Sequence, residues 1–292
     1  YAQDSDATGG KPVYAISSKN SLRNTNWFFG ENWSAWIGTN GASFHEAANW
    51  FPPGVPGPAS MVYIGGPNAA SITMAATVLD LVVDGSLTID SNLRVARDMT
   101  VQANGTVTMN RPVVVGNDLY LLTGGTLTHS GNGATEVNKL DLTVIGNVSV
   151  DVSSVVNVTG KGYAAGRGPG AGGNGFGGTY GGRGKVWFGG PSGPCYGSIV
   201  APTNLGSGGD SLGTEGGGSI RMRVGGTMRN DGLLAADGAA GNHKGSGGSV
   251  FLTAGALTGV GTIRANGGMP GVSGGGGRVA LVVTNAGADF SL

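Results

Sequence analysis

Cysteine, charge and helical periodicity are all scarce in this chain of 292 residues. A single cysteine, Cys195, excludes an intrachain disulfide framework and any cysteine-clustered zinc site. Only 12% of the residues are charged, and 17 basic side chains face 17 acidic ones. No basic surface is therefore expected to neutralise phosphates, which argues against a nucleic-acid partner. No apolar run reaches the ~18–20 residues that a membrane-spanning helix requires. No window carries apolar residues at i, i+3, i+4 and i+7, so amphipathic helices are not expected.

Glycine is abundant instead, with 60 residues, about three times its ordinary share. Disorder does not follow, because 39% of the chain is apolar and the net charge is zero. The glycines recur in register with alternating runs. "GSLTI" starts at Gly85, "GTVTM" at Gly105 and "GTLTH" at Gly125, twenty residues apart, with "GNVSV" following at Gly146. Each is preceded by an aspartate and an alternating run, at Asp80, Asp98, Asp118 and Asp141. A looser repeat begins at "GGGSIRMRV", "GGSVFLTAG" and "GGGGRVALVV", with Ser219, Ser249 and Arg278 in equivalent places.

Two strands and a glycine turn every twenty residues is a solenoid pattern. The sequence therefore predicts an all-β fold, a right-handed parallel β-helix, the hand being that of parallel crossovers. Glycines would turn the corners and the alternation would fill the core. Leu87, Val107, Leu127 and Val148 are expected to stack in one inward column. The four aspartates read as turn formers. Four regions follow: an aromatic-rich N-terminal cap over 1–70, regular coils over 71–159, a glycine-rich excursion over 160–215 and longer coils over 216–292. The excursion reads either as a loop budding from a coil or as a packed glycine layer anchored by Tyr163, Phe176, Tyr180, Trp187 and Phe188. Five aromatics favour an ordered segment.

The segment "NWSAWIGTNGASFHEAANWFPPGVPGPASMVYIG" resembles the entry segment of secreted bacterial β-helix proteins. "GGGSIRMRVGGTMRNDGLLAADG" and "GGSVFLTAGALTGVGTIRANGG" are similar to glycine-rich repeats of autotransporter-like and adhesin-like surface proteins. The family pattern has an acidic residue before the first strand where this chain has Ser60. The resemblance implies architecture and a secreted or cell-surface location; it brings no catalytic residue. A chain beginning at Tyr1, poor in Lys and Glu, fits a processed extracellular protein.

Chemistry-bearing motifs are sparse. "GNGFGG" at 173–178 lacks the strand–helix context of a dinucleotide site, and "GGRGKV" near Lys185 lacks the hydroxyl residue of a P-loop. "GSGGDSL" at 206–212 occurs once, where a calcium roll needs tandem copies. His45, His129 and His243 show no metal-ligand spacing; His129 occupies the inward slot of Ile89 and Met109. No metal or cofactor is expected. Two classes of function remain. The first is a structural or adhesive surface or filament component that meets copies of itself or polysaccharide, with Trp27, Trp33, Trp36, Trp50, Tyr180 and Trp187 as candidate ligand-binding aromatics. The four clustered tryptophans read equally as a plug over the first coil, with at least two of them buried near Val62 and Ile64. The second is a polysaccharide lyase or hydrolase, whose candidate catalytic residues are Lys161, Arg183, Lys185, Asp237 and His243. The regular coils are expected to carry their charges mostly singly or at turns, so self-association or neutral glycan is expected and turnover of acidic polysaccharide is not. A groove holding three or more charged side chains would favour the second class.

Overall fold

A computed structural model describes residues 13–16, 27–30, 33–102, 104–172, 175–185, 192–210, 214–241 and 244–285, and the statements below concern these. The described chain is all-β, with parallel strands gathered into sheets; its one helical element is the turn Ala47–Asn49. Strands are short and alternate between buried and half-buried positions, as in Ser86–Ile89 and Thr106–Met109, the period of a sheet covered on one face.

Each repeat contributes to three ladders in turn. The first ladder runs through Ala76–Val78, Leu93–Val95, Val113–Val115, Leu140–Val144 and the first half of Ser219–Asn230. It continues into Ser249–Thr258 and Arg278–Val283. The second contains Met61–Ile64, Asp80–Val83, Met99–Val101, Leu119–Leu121 and Val148–Val150, and continues through the second half of Ser219–Asn230 into the second half of Ser249–Thr258. The third joins Ala70–Ile72, Ser86–Ile89, Thr106–Met109, Thr126–Thr128, Val155–Asn157, Leu233–Ala235 and Thr262–Arg264. Inward side chains from all three form one hydrophobic cluster extending from Trp36 to Ala254.

Leu87 pairs with Val107 and Val107 with Leu127, all fully buried, so three members of the expected column stand in register. Val148 does not join them. It pairs with Leu119 in the second ladder, and Val156 takes the place beside Leu127. The cause is an insertion: Thr106 to Thr126 is a step of 20 residues, whereas Thr126 to Val155 is 29. The extra residues lie around Asn132, whose Oδ1 accepts from Val137 N and Asn138 N and whose Nδ2 reaches Asn138 O and Lys161 O. "GNVSV" imitates the glycine turn of the earlier repeats but lies one strand earlier in the cycle.

The aspartates divide in the same way. Asp80 Oδ1 accepts from Asp98 N, Asp98 Oδ1 from Asp118 N, Asp118 Oδ1 from Asn147 N, and Asn147 Oδ1 from Thr227 N. Stacked carboxylates are thus each answered by the next repeat's backbone N–H. Asp141 is outside this series; it sits on the first ladder opposite Arg221.

Glycine-rich segments pack beside the ladders as extended chains. Successive residues donate to different neighbours: Gly216 to Tyr163 O, Gly217 to Ser246 O and Gly218 to Val158 O. Ser246, Gly247 and Gly248 repeat the pattern toward Ser207 O, Gly275 O and Ala236 O. Donors that rotate through three directions match the three-residue turn of an extended left-handed helix. Tyr163 and Tyr180 are buried in this layer and Phe176 is half-buried; Trp187 and Phe188 lie outside the described residues.

Candidate functional site

The candidate catalytic residues that are described lie on different segments of the chain. Asp237 pairs with Arg264 at 2.7 Å and accepts from Asn266 N. Lys161 is half-buried beside the Asn132 loop, while Arg183 and Lys185 are exposed on another glycine-rich segment. His243 lies outside the described residues. One open cleft of about 580 Å³ includes Asp237 with Arg264 and Asn266, and it contains none of the three cations.

Four of the six candidate ligand-binding aromatics are buried. Trp33, Trp36, Trp50 and Tyr180 are each at most 6% exposed, leaving no ring face broad enough for a sugar to stack on. Trp36 and Trp50 share the core cluster with Val62 and Ile64. They meet edge to face at 5.1 Å, Phe44 meets Trp50 at 4.8 Å, and Trp50 Nε1 donates to Phe44 O at 2.7 Å. Tyr180 stacks on Tyr196 at 4.8 Å with the Arg278 guanidinium 5.5 Å from its centroid. The Trp27 side chain and Trp187 lie outside the described residues.

His129 is also fully buried, just beyond Thr126–Thr128. Its Nδ1 is 2.8 Å from Ser130 O and its Nε2 is 3.1 Å from Ser219 N. Those partners require Nδ1 to carry the proton and Nε2 to accept. Burial, opposed by the Ser130 carbonyl and reinforced by the Lys161 and Lys139 charges, pushes its pKa down from 6.5 to about 4. The unfolded chain takes up a proton near pH 6.5 and the folded chain does not until about pH 4. The neutral ring's stabilisation is therefore present above pH 6.5, falls through this window, and is fully lost below about pH 4. The expected loss is about 3 kcal/mol, read by urea unfolding across that range. A His129→Gln chain should lose that part of the slope; an unchanged slope would show that other groups carry it.

Charge gathers instead on the ladders' outer faces. A cleft of about 310 Å³ is lined by Asp80, Arg97 and Asp98 with Trp33 and Tyr120. Here Arg97 pairs with Asp80, and Tyr120 donates to Asp118, a bond that raises the phenol's pKa.

A second cleft, of about 280 Å³, lies where the strands Val113–Val115, Leu140–Val144 and Ser219–Asn230 of the first ladder begin, and holds Arg111, Lys139, Asp141 and Arg221, with Thr203 and Ser219 at its wall. Lys139 pairs with Glu136, Asp141 lies 2.9 Å from Arg223 Nη2, and Arg111 Nη1 donates to the Asn110 and Val137 carbonyls. Four charged side chains thus meet in one groove, Arg111 and Lys139 from turns between strands, as expected of coil charges, and Asp141 and Arg221 from paired strands. Sequence reading missed this site because its walls come from residues 110–112, 137–141, 203 and 219–221. The one local signal is Asp141 facing Arg221 across adjacent strands.

The arrangement supplies cations and a hydroxyl for recognition. It has one lining carboxylate, already ion-paired, where carboxylate-pair glycoside hydrolysis uses two.

Comparisons with family models, with curated proteins and with solved structures give no match.

Proposed function

We propose that this chain is a right-handed parallel β-helix that serves as an extracellular structural or adhesive component, one that associates with copies of itself and contacts glycans. The hand follows the rule for parallel crossovers. A secreted or cell-surface setting agrees with the sparsely charged, glycine-rich composition.

The observation that carries the reading is the difference in what lies over the core at its two ends, since the edge strands Ala42–Ser43, Trp50–Phe51 and Ala76–Val78 also pair on one side only. The N-terminal end of the core is covered by Trp36, Phe44 and Trp50. At the other end, among the described residues, Arg278–Val283 and Thr262–Arg264 each pair on one side only. Val279 continues the column of Ile220 and Val250, which are fully buried, yet is 44% exposed. A parallel edge to which no described strand is added, with apolar columns behind it, is a template for another strand layer.

Light scattering over a concentration series, with electron microscopy of the same samples, tests this. Association is expected, and a Val279→Lys chain should remain monomeric at concentrations where the parent associates. A parent chain that stays monomeric throughout would remove the assembly reading.

The charged cleft at Arg111 and Arg221 favours a second reading, a polysaccharide lyase on the same scaffold. Release of unsaturated product from polyuronates, followed by absorbance, separates it from binding without turnover.

A further inference from the structure

We infer that the cleft between Arg111 and Arg221 binds the carboxylate of an acidic saccharide. This deepens the glycan-contact half of the reading above and is independent of assembly.

The inference starts from an unsatisfied cation. Arg221 projects from the first ladder, and its Nε is buried without a hydrogen-bond partner. The nearest carboxylate is a loose one, with Asp141 Oδ2 at 3.9 Å from Nη1, because Asp141 is held more closely by Arg223. The side chain as a whole is 41% exposed, so its terminal nitrogens are open to an acceptor in the cleft. Across the cleft, Arg111 is anchored through Nη1 alone, by the carbonyls of Asn110 and Val137. Its remaining nitrogens therefore stay available while its position is fixed.

The charges decide the sign of the ligand. Arg111, Lys139 and Arg221 against Asp141 leave the lining with an excess of two positive charges. Lys139 is the weakest contributor, being paired with Glu136. Two guanidinium planes suit a planar carboxylate, which accepts two parallel N–H bonds from such a fork. Size and wall chemistry point to a sugar as its carrier. The volume, about 280 Å³, lies near the lower end of small-ligand pockets, and Thr203 adds a hydroxyl at the wall. A neutral sugar's hydroxyls could accept from Arg221 but would leave the excess charge unanswered, so the ligand is carboxylated rather than neutral.

Titration calorimetry of the full chain with D-glucuronate, acetate and D-glucose tests this. Glucuronate should bind once per chain and more weakly as salt is raised. Acetate should bind less tightly than glucuronate, and glucose should give no heat. Arg221→Gln and Arg111→Gln should each weaken glucuronate binding about tenfold or more. Asp141→Asn should tighten it, since it removes the carboxylate that competes for Arg221, a gain that a purely structural role for these residues does not produce. Circular dichroism checks each variant's fold; if Arg221→Gln does not fold, Arg111→Gln, which lies outside the ladder strands, is the variant read. Absent glucuronate binding, equal binding of glucose or acetate, or unchanged affinity in the folded arginine variants would each overturn the inference. A monomeric protein that binds glucuronate would sink the assembly reading and leave this one standing.

Discussion

Gly216→Ala is expected to lower the unfolding free energy by about 3 kcal/mol or more, while Gly276→Ala changes it by no more than about 0.5 kcal/mol. Both residues belong to glycine-rich runs and neither has a positive φ. What separates them is the approach of neighbouring backbone. A Cβ on Gly216 would lie 1.8 Å from Gly206 O and 2.2 Å from Gly206 C, whereas one on Gly276 would meet nothing within 4 Å.

The obstacle at Gly216 is a main-chain carbonyl fixed in the layer, and no rotamer change relieves it. Gly216 N donates to Tyr163 O and its own carbonyl accepts from Gly162 N, so moving the segment breaks both of its bonds to the neighbouring Gly162–Tyr163 chain. The penalty should spread to Gly217 and Gly218, whose donors reach Ser246 and Val158. Thermal and urea unfolding of the two variants beside the parent give the comparison. Equal stability of the two would mean that glycine fills these runs through composition rather than close packing.

Strand type was legible because alternation is a local property. "GSLTI", "GTVTM" and "GTLTH" state both the turn and the inward residue, and Leu87, Val107 and Leu127 pair accordingly. Register beyond Gly125 was not legible, since "GNVSV" satisfies the same pattern after an insertion and only the pairing of Val148 with Leu119 shows the shift. The aspartates illustrate the same limit. Asp80, Asp98 and Asp118 form a ladder with Asn147, while Asp141, alike in local sequence, faces Arg221 on another ladder. The charged cleft was hidden for a related reason. Arg111 and Arg221 are 110 positions apart in the chain, and their meeting depends on the inserted loop and the long strand Ser219–Asn230. The aromatic cluster was visible, but its composition suits a sugar platform and a plug equally; burial of Trp33, Trp36 and Trp50 is what the fold adds.

Removal of residues 1–60 should turn limited association into open-ended assembly. Two strand rows lose their outer partners: Met61–Ile64 loses the parallel strand Trp33–Trp36, and Ala70–Ile72 loses Ala42–Ser43. The column ends at Val62, Ile64, Ala70 and Ile72, now fully buried, would lose the cover of Phe44 and Trp50. A chain with one open edge can satisfy it by meeting the same edge of a second copy, which closes as a two-fold dimer. A chain open at both ends can add head to tail without closure, as rods lengthening along the ladder axis. Trp50→Ala is the milder form of the same experiment. It removes a fully buried indole together with its bond to Phe44 O, a loss of about 3–5 kcal/mol for a large aromatic in a packed core. That variant should unfold at lower denaturant while keeping the parent's association state, because the strand Trp33–Trp36 still covers the edge. Elongated particles from the truncated chain, absent in Trp50→Ala, are the expected pair of results by electron microscopy. A truncated chain as stable as the parent and with the same particle size would show that the aromatic segment does not close that end.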